Sequence, residues 1–259
     1  QNEPETDQTG KMPACLFSPE LEAKFIFLMR KNLRERGLNP EIWLCDHNFI
    51  YVKRVLWQLK EYPELLSAVN GAAFHYYAGG AEQTEAIRAD YPQLGLHFTE
   101  GGPGLHNNYA ADYCKWGATV CRALNHGFRS FTGWNLLLDE SGAPNIGPFF
   151  CGGLITVDSV TGELSYSGQY RAFSHFSPVV TRGASVYPCK VYDSAVTGTA
   201  SYQAAPIACD ATAVKDKNGV FSLFFVNPAQ EKKQIMLKHG KKTVYFEALP
   251  DSLTTLQIE

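Results

Sequence analysis

Up to about Leu138 the chain alternates short apolar runs with longer amphipathic stretches, and the boundaries between them carry turn and cap signals. Ser18-Pro19-Glu20 opens a helix, with a capping serine, proline at the first helical position and an acid in the first turn. It runs to about Arg36, where Gly37 and Pro40 stop it. Glu41 to Asp46 reads as a short strand leading into His47-Asn48, followed by a helix from Phe49 to Lys60 and a shorter one from Pro63 to Ala68. Gly71 to Tyr77 is the next strand, Thr84 to Tyr91 the next helix, Leu94 to Glu100 the next strand. Asn107 to Asn125 predicts a long helix, Phe128 to Leu138 a strand carrying Trp134-Asn135, and Ser167 to Phe176 a last amphipathic helix after a Gly/Pro-rich loop over Asp139 to Gly153.

Strands alternating with helices predict βαβ units and a parallel sheet, an α/β fold. Strand ends fall near residues 3, 46, 77, 100 and 134, spaced around the ~30 residues of a βα unit. Polar and aromatic residues gather at these ends, on the face where a closed barrel builds its site. The expected architecture is therefore the C-terminal part of a (β/α)8 TIM barrel, with roughly three strands upstream of Gln1. From about Val179 the helical period disappears. Short apolar segments alternate with turns, and Asn218-Gly219 between two apolar runs is a hairpin signal. The expected division is a partial barrel at 1–177 and an all-β sandwich at 178–259.

Composition narrows the function. The 259 residues are 45% hydrophobic and 13% aromatic, with a formal net charge of −3, which suits a large core and offers no basic stretch for nucleic acid. Seven cysteines in no Cys-x-x-Cys arrangement read as core residues rather than a disulfide scaffold or zinc ribbon. No apolar run is long enough for a stable membrane span. His97 and His106 lack partners at metal-ligand spacing, so no metal and no cofactor is expected. Gly-x-Ser-x-Gly, dinucleotide and phosphate-loop patterns are absent.

Two glutamates stand at predicted strand ends: Glu3 in Asn2-Glu3-Pro4, and Glu100 closing Leu94 to Glu100 before Gly101-Gly102-Pro103-Gly104. A retaining glycosidase needs such a pair, one carboxyl to protonate the leaving oxygen and one carboxylate to attack the sugar. The acid needs a raised pKa. The four-residue Gly/Pro run is expected to leave room around Glu100. His75 and Tyr77 share one side of a strand, with a satisfied core histidine and a packed tyrosine as the plainer alternative. On local sequence Trp134 reads as a barrel-core tryptophan, and Asp46 as a group orienting the site or a helix cap.

Asn2-Glu3-Pro4, His75-Tyr76-Tyr77, Phe98-Thr99-Glu100, Gly133-Trp134-Asn135, Gly142-Ala143-Pro144-Asn145 and Tyr170 to Ser177 occur in that order. In this the chain resembles glycoside hydrolase family 30, the glucosylceramidase-like enzymes. The resemblance implies a barrel with a β-sandwich side domain and retaining hydrolysis of a β-linked glycoside or glycolipid. It implies Glu3 as acid/base, Glu100 as nucleophile, and sugar contacts from Asn2, His75, Tyr77 and Trp134. It also implies a secreted or periplasmic setting. A glucosylceramidase-type β-glucosidase is the leading expectation. β-1,6-Glucanase and β-xylosidase or xylanase activity are alternatives within the family, and a non-catalytic carbohydrate-binding remnant is one outside it. With upstream strands absent, the chain expressed alone is expected to be poorly soluble and inactive.

Overall fold

The computed structural model describes residues 1–7, 15–145, 149–192 and 209–258. Parts of the polar loop after Pro4, of the Gly/Pro-rich loop and of the C-terminal β region thus lie outside the described residues. The chain divides into two compact units, residues 1–102 with 126–134 and 143–149, and residues 103–125 with 135–142 and 150–259.

The first unit is an α/β layer. Four strands, β1 (Trp43–Asn48), β2 (Gly71–His75), β3 (Gly95–Glu100) and β4 (Phe128–Phe131), form a sheet in that order. Every pairing is parallel, as the βαβ pattern predicted. Three helices accompany it: α1 (Pro19–Glu35), α2 (Val52–Glu61) and α3 (Glu85–Asp90). The Ser18 hydroxyl accepts the Leu21 N–H, so the cap read from the sequence is formed. The core centres on Phe49, Phe74, Phe98 and Phe128, with Phe49 within 6.3 Å of each of the other three ring centroids.

A buried ionic network ties the helices to the sheet. On α2, Arg54 donates to the α1 carboxylate of Glu22 at 2.8 and 3.1 Å, to the Phe17 carbonyl and to Glu5. Gln58 donates to the same Glu22 oxygen. The other Glu22 oxygen accepts the Cys45 N–H at 3.0 Å. This last bond matters because Cys45 and Asp46 both have left-handed backbone, at φ 76° and 56°. There β1 bulges: Cys45 pairs with Ala73 and His47 with Phe74, leaving Asp46 as the extra residue.

The second unit carries α4 (Tyr113–Asn125), α5 (Gly168–Phe176) and strands in three sheets. β5 (Leu137–Asp139), β6 (Ile155–Val157) and β7 (Leu164–Tyr166) form one. β8 (Ser185–Pro188), β9 (Asp210–Lys215), β10 (Phe221–Asn227) and β13 (Ser252–Ile258) form an antiparallel sheet in the order β13-β10-β9-β8. β11 (Lys233–His239) and β12 (Lys242–Ala248) pair as a hairpin. The expected Asn218-Gly219 hairpin joins β9 to β10, with Gly219 at φ 91°. β10 is buried from Ser222 to Asn227 and mostly apolar, because both faces are covered. Phe224 stacks on Phe176 of α5, while Leu223 and Phe225 join Ile235, Leu237 and Phe246 of the hairpin.

Four boundaries differ from the sequence reading. Glu3 to Thr6 form a turn, with Glu3 at φ 46° and its N–H bonded to the Asp46 carbonyl at 3.0 Å. The helix after Asn48 begins with a 3-10 turn at Phe49–Tyr51. α4 starts only at Tyr113, because Asn108 adopts φ 58° and the chain turns there. The strand expected over Phe128 to Leu138 is split: β4 stops at Phe131, and Leu137–Asp139 pairs with β6 instead. Among the described residues no helix is long and apolar enough to cross a membrane.

Arg54→Ala would leave the buried Glu22 carboxylate without its cation, and a broken buried pair costs about 3–5 kcal/mol. Urea unfolding is expected to show a loss of that order. A loss below about 1 kcal/mol would show that the network does not hold the bulge.

Candidate active site

At the carboxyl ends of β1 to β3 the sheet departs from regular register twice, and both departures serve one face. In β1 the bulge turns the Asp46 carboxylate toward His75. In β3, Phe98 pairs with Phe74 but Glu100 pairs with His75, so Thr99 is skipped. Side chains alternate along a regular strand, which would put Thr99 and Glu100 on opposite faces. With the irregularity both line the same cavity, of about 430 Å³, together with Asn2, Asp46, His75 and Trp134.

His75 is the centre of the arrangement and only 1% exposed. Its Nδ1 lies 3.2 Å from Glu3 Oε1 and 3.8 Å from Glu100 Oε2, and its Nε2 lies 3.2 Å from Asp46 Oδ1. The same Asp46 oxygen accepts the Thr99 hydroxyl at 2.8 Å. Glu100 accepts the Tyr77 hydroxyl at 3.1 Å on its other oxygen. Glu3 and Glu100 oxygens thus flank one nitrogen, and cannot be further apart than those two contacts laid end to end.

Charge follows from this geometry. Burial alone would favour neutral His75, but the hydrogen bonds to Asp46 and Glu3 outweigh it and carry the pKa to about 9. The His75 bond holds the Glu3 carboxyl below its usual range against its burial. Burial pushes Asp46 up, yet His75 and Thr99 together leave it low. Glu100 goes the other way: burial raises it, only partly offset by His75 and Tyr77. This corrects the expectation that Glu3 carries the raised pKa. The reason is that Glu3 accepts a hydrogen bond from the imidazolium N–H at 3.2 Å, whereas Glu100 sits beyond hydrogen-bond distance at 3.8 Å.

The remaining expectations divide. Tyr77 holds Glu100 and stays 47% exposed, and Trp134 is 39% exposed on the cavity wall, so neither is a core residue. Asp46 is not a helix cap; it grips His75. Asn2 is exposed at the cavity. The glycines after Glu100 do not open space. A Cβ on Gly102 would sit 2.4 Å from the Trp134 carbonyl oxygen, and one on Gly101 would meet the Phe98 ring at 2.9 Å. They admit a close chain crossing, in which the Trp134 N–H reaches the Gly101 carbonyl at 3.0 Å. His97 is bound to Ser130 and stacked on Trp43.

Sequence reasoning missed His47 as a site residue. It is buried and stacked on Tyr51, with Nε2 at Thr6 Oγ1 and Nδ1 3.8 Å from Glu3 Oε1. Its place beside Asp46 was the only signal.

No protein-family model matches the chain. Among curated proteins it is 28% identical over 133 residues to "Putative glucosylceramidase 3" of Caenorhabditis elegans, covering 47% of this chain and 25% of that one. It is 25% identical over 199 residues to an endo-1,6-β-D-glucanase of Neurospora crassa, covering 72% and 39%. Its fold matches the endo-β1,6-glucanase BT3312 with a TM-score of 0.83 at 22% identity over 99% of this chain and 56% of that one. It matches the catalytic domain of a GH30 xylanase C from Talaromyces cellulolyticus at 0.69, with 17% identity over 92% and 50%. The chain therefore spans well under two thirds of each of these relatives. In sequence the chain resembles a putative glucosylceramidase and an endo-1,6-β-D-glucanase, and its fold is that of the endo-β1,6-glucanase and the GH30 xylanase.

The His75 linkage has a sign. Its pKa is raised from an ordinary 6.5 to about 9, so its contribution to stability is complete below 6.5 and fades as pH rises through about 9. The stability gap between the parent chain and His75→Gln is expected to narrow by at most about 3 kcal/mol between pH ~6 and ~10, measured by urea unfolding. A gap unchanged across that window would contradict the charged state of His75.

Proposed function

We infer that this chain is part of a retaining β-glycoside hydrolase of family 30, with Glu3 as general acid/base and Glu100 as nucleophile. The observation that carries the reading is the convergence of both carboxylates on His75 Nδ1, at 3.2 and 3.8 Å. The ceiling this sets covers the roughly 5–5.5 Å separation of retaining enzymes and only the lower edge of the roughly 6.5–9.5 Å inverting range. A binding remnant has no use for two such apposed carboxylates.

In the first step Glu100 attacks the anomeric carbon while Glu3 protonates the departing oxygen. His75, an imidazolium at neutral pH, holds a proton within hydrogen-bond reach of Glu3 and supplies the one that Glu3 passes to the departing oxygen, which leaves Glu3 ionised and His75 neutral until the second step returns the proton. Asp46 and Thr99 fix the imidazole, and Tyr77 orients Glu100. In the second step Glu3, ionised, takes a proton from the incoming water, which releases the sugar from Glu100. Trp134 and Asn2 serve as sugar contacts at the cavity. No step calls for a metal or organic cofactor.

The parallel sheet is, in this reading, the later half of a (β/α)8 barrel, with residues 1–177 belonging to that barrel and 178–259 to a β-sandwich. A glucosylceramidase-type β-glucosidase remains the leading substrate assignment, supported by the C. elegans relative. A β-1,6-glucanase is the alternative, supported by the N. crassa relative. A secreted or periplasmic location goes with the same reading.

A second assignment has its own support. The pKa directions, low for Glu3 and raised for Glu100, are those expected if the roles were exchanged. Trapping distinguishes the two. A 2-fluoro β-glucoside slows both steps, and peptide mapping in the complete enzyme is expected to find the sugar on Glu100. Glu3→Ala should then keep activity on aryl glycosides with good leaving groups, whose departure needs no acid, and lose about 10²–10⁴-fold on poor ones. A label on Glu3 would establish the exchanged roles, and a label on neither would end the proposal.

A further inference from the structure

Beside the two glutamates lies a feature that glycoside hydrolysis does not use. His47 Nδ1 is buried and has no hydrogen-bond partner, and its side chain is 4% exposed. A buried polar nitrogen without a partner is destabilising, so its position calls for an explanation. It faces Glu3 Oε1 at 3.8 Å, the same oxygen that His75 Nδ1 approaches at 3.2 Å. One ligand atom from each of Glu3, His47 and His75 lies within 4.8 Å of the others.

We propose that Glu3, His47 and His75 form a site for a divalent transition metal of the zinc type, and that the ion inhibits by occupying the acid/base carboxylate. Ligand atoms about 2.0–2.1 Å from a tetrahedral zinc stand about 3.3–3.5 Å apart, and the two measured separations from Glu3 bracket that span. Two imidazoles and a carboxylate are a donor set that zinc favours. Each imidazole is also held from behind. Asp46 grips His75 Nε2, Thr6 grips His47 Nε2, and Tyr51 stacks on the His47 ring. Such outer contacts aim the remaining nitrogen at the ion. Glu100 Oε2, 3.8 Å from His75 Nδ1, is within range of a fourth position. Binding displaces the proton between His75 and Glu3 to solvent, leaving both as ligands.

Metal binding stands on this geometry alone; its effect on turnover rests on the glycosidase reading. The test uses the full chain, titrated with Zn2+ by calorimetry and with Co2+ by visible absorption. The expected result is one equivalent bound with tetrahedral cobalt bands and no thiolate charge-transfer band, since the seven cysteines are the competing donors. His47→Gln, folded by circular dichroism, should weaken binding by at least about tenfold. Thr6→Val, which keeps His47 but releases its Nε2, should weaken it by less, and it decides the matter if His47→Gln does not fold. Unchanged affinity in the variants, a thiolate band, or no binding would overturn the proposal. Binding that depends on His47 yet leaves turnover of the active enzyme untouched would overturn the inhibitory claim and count against Glu3 as the acid/base, while the metal site stood.

Discussion

Three carboxylates meet around one imidazole, and the local structure of the sheet ends is arranged to permit it. Glu3, Asp46 and Glu100 would repel one another at this range in a partly dry cavity. His75 offsets that repulsion by carrying a proton and giving one nitrogen to Asp46 and the other to Glu3. Because the ring is rigid, it also fixes where those two oxygens stand. The directions of the four pKa shifts follow from which groups it touches.

The backbone supports this at a cost. Cys45, Asp46 and Glu3 all have positive φ, in a region where residues with a Cβ are strained by about 1–3 kcal/mol each. Such strain persists only where its surroundings over-determine it. Here Glu22 accepts the Cys45 N–H, Arg54 and Gln58 hold Glu22, and the Asp46 carbonyl accepts the Glu3 N–H. The buried ion pair on the helices and the carboxylate cluster at the strand ends are thus one chain of contacts. The charged pair does not line the cavity, yet it sets the bulge on which Asp46 depends.

How much of this was legible in the sequence depends on the range of the interaction. The helix at Ser18-Pro19, the parallel strands and the Asn218-Gly219 hairpin were readable, because caps, periodicity and turn chemistry act over a few residues. Glu100 was readable because a carboxylate ending an apolar strand needs a reason. The bulges were not, since Asp46 and Thr99 become extra residues only relative to a neighbouring strand. The lowered pKa of Glu3 was hidden for the same reason: its partner, His75, is remote in sequence. β4 stopping at Phe131 reflects a tertiary demand, as Trp134 leaves the ladder to meet Gly101. His47 was passed over because its partners, Thr6 and Glu3, lie across a turn that the sequence suggested was a strand end.

The protonation state of His75 is the most direct test of the account. Nitrogen chemical shifts of this ring, followed by NMR from about pH 5 to 10 in the chain labelled at histidine, report both nitrogens separately. The account predicts that both stay protonated through neutral pH and that the ring titrates near 9. A neutral ring at pH 7, with one nitrogen bare, would contradict it, because a neutral imidazole cannot donate to Glu3 and Asp46 at once.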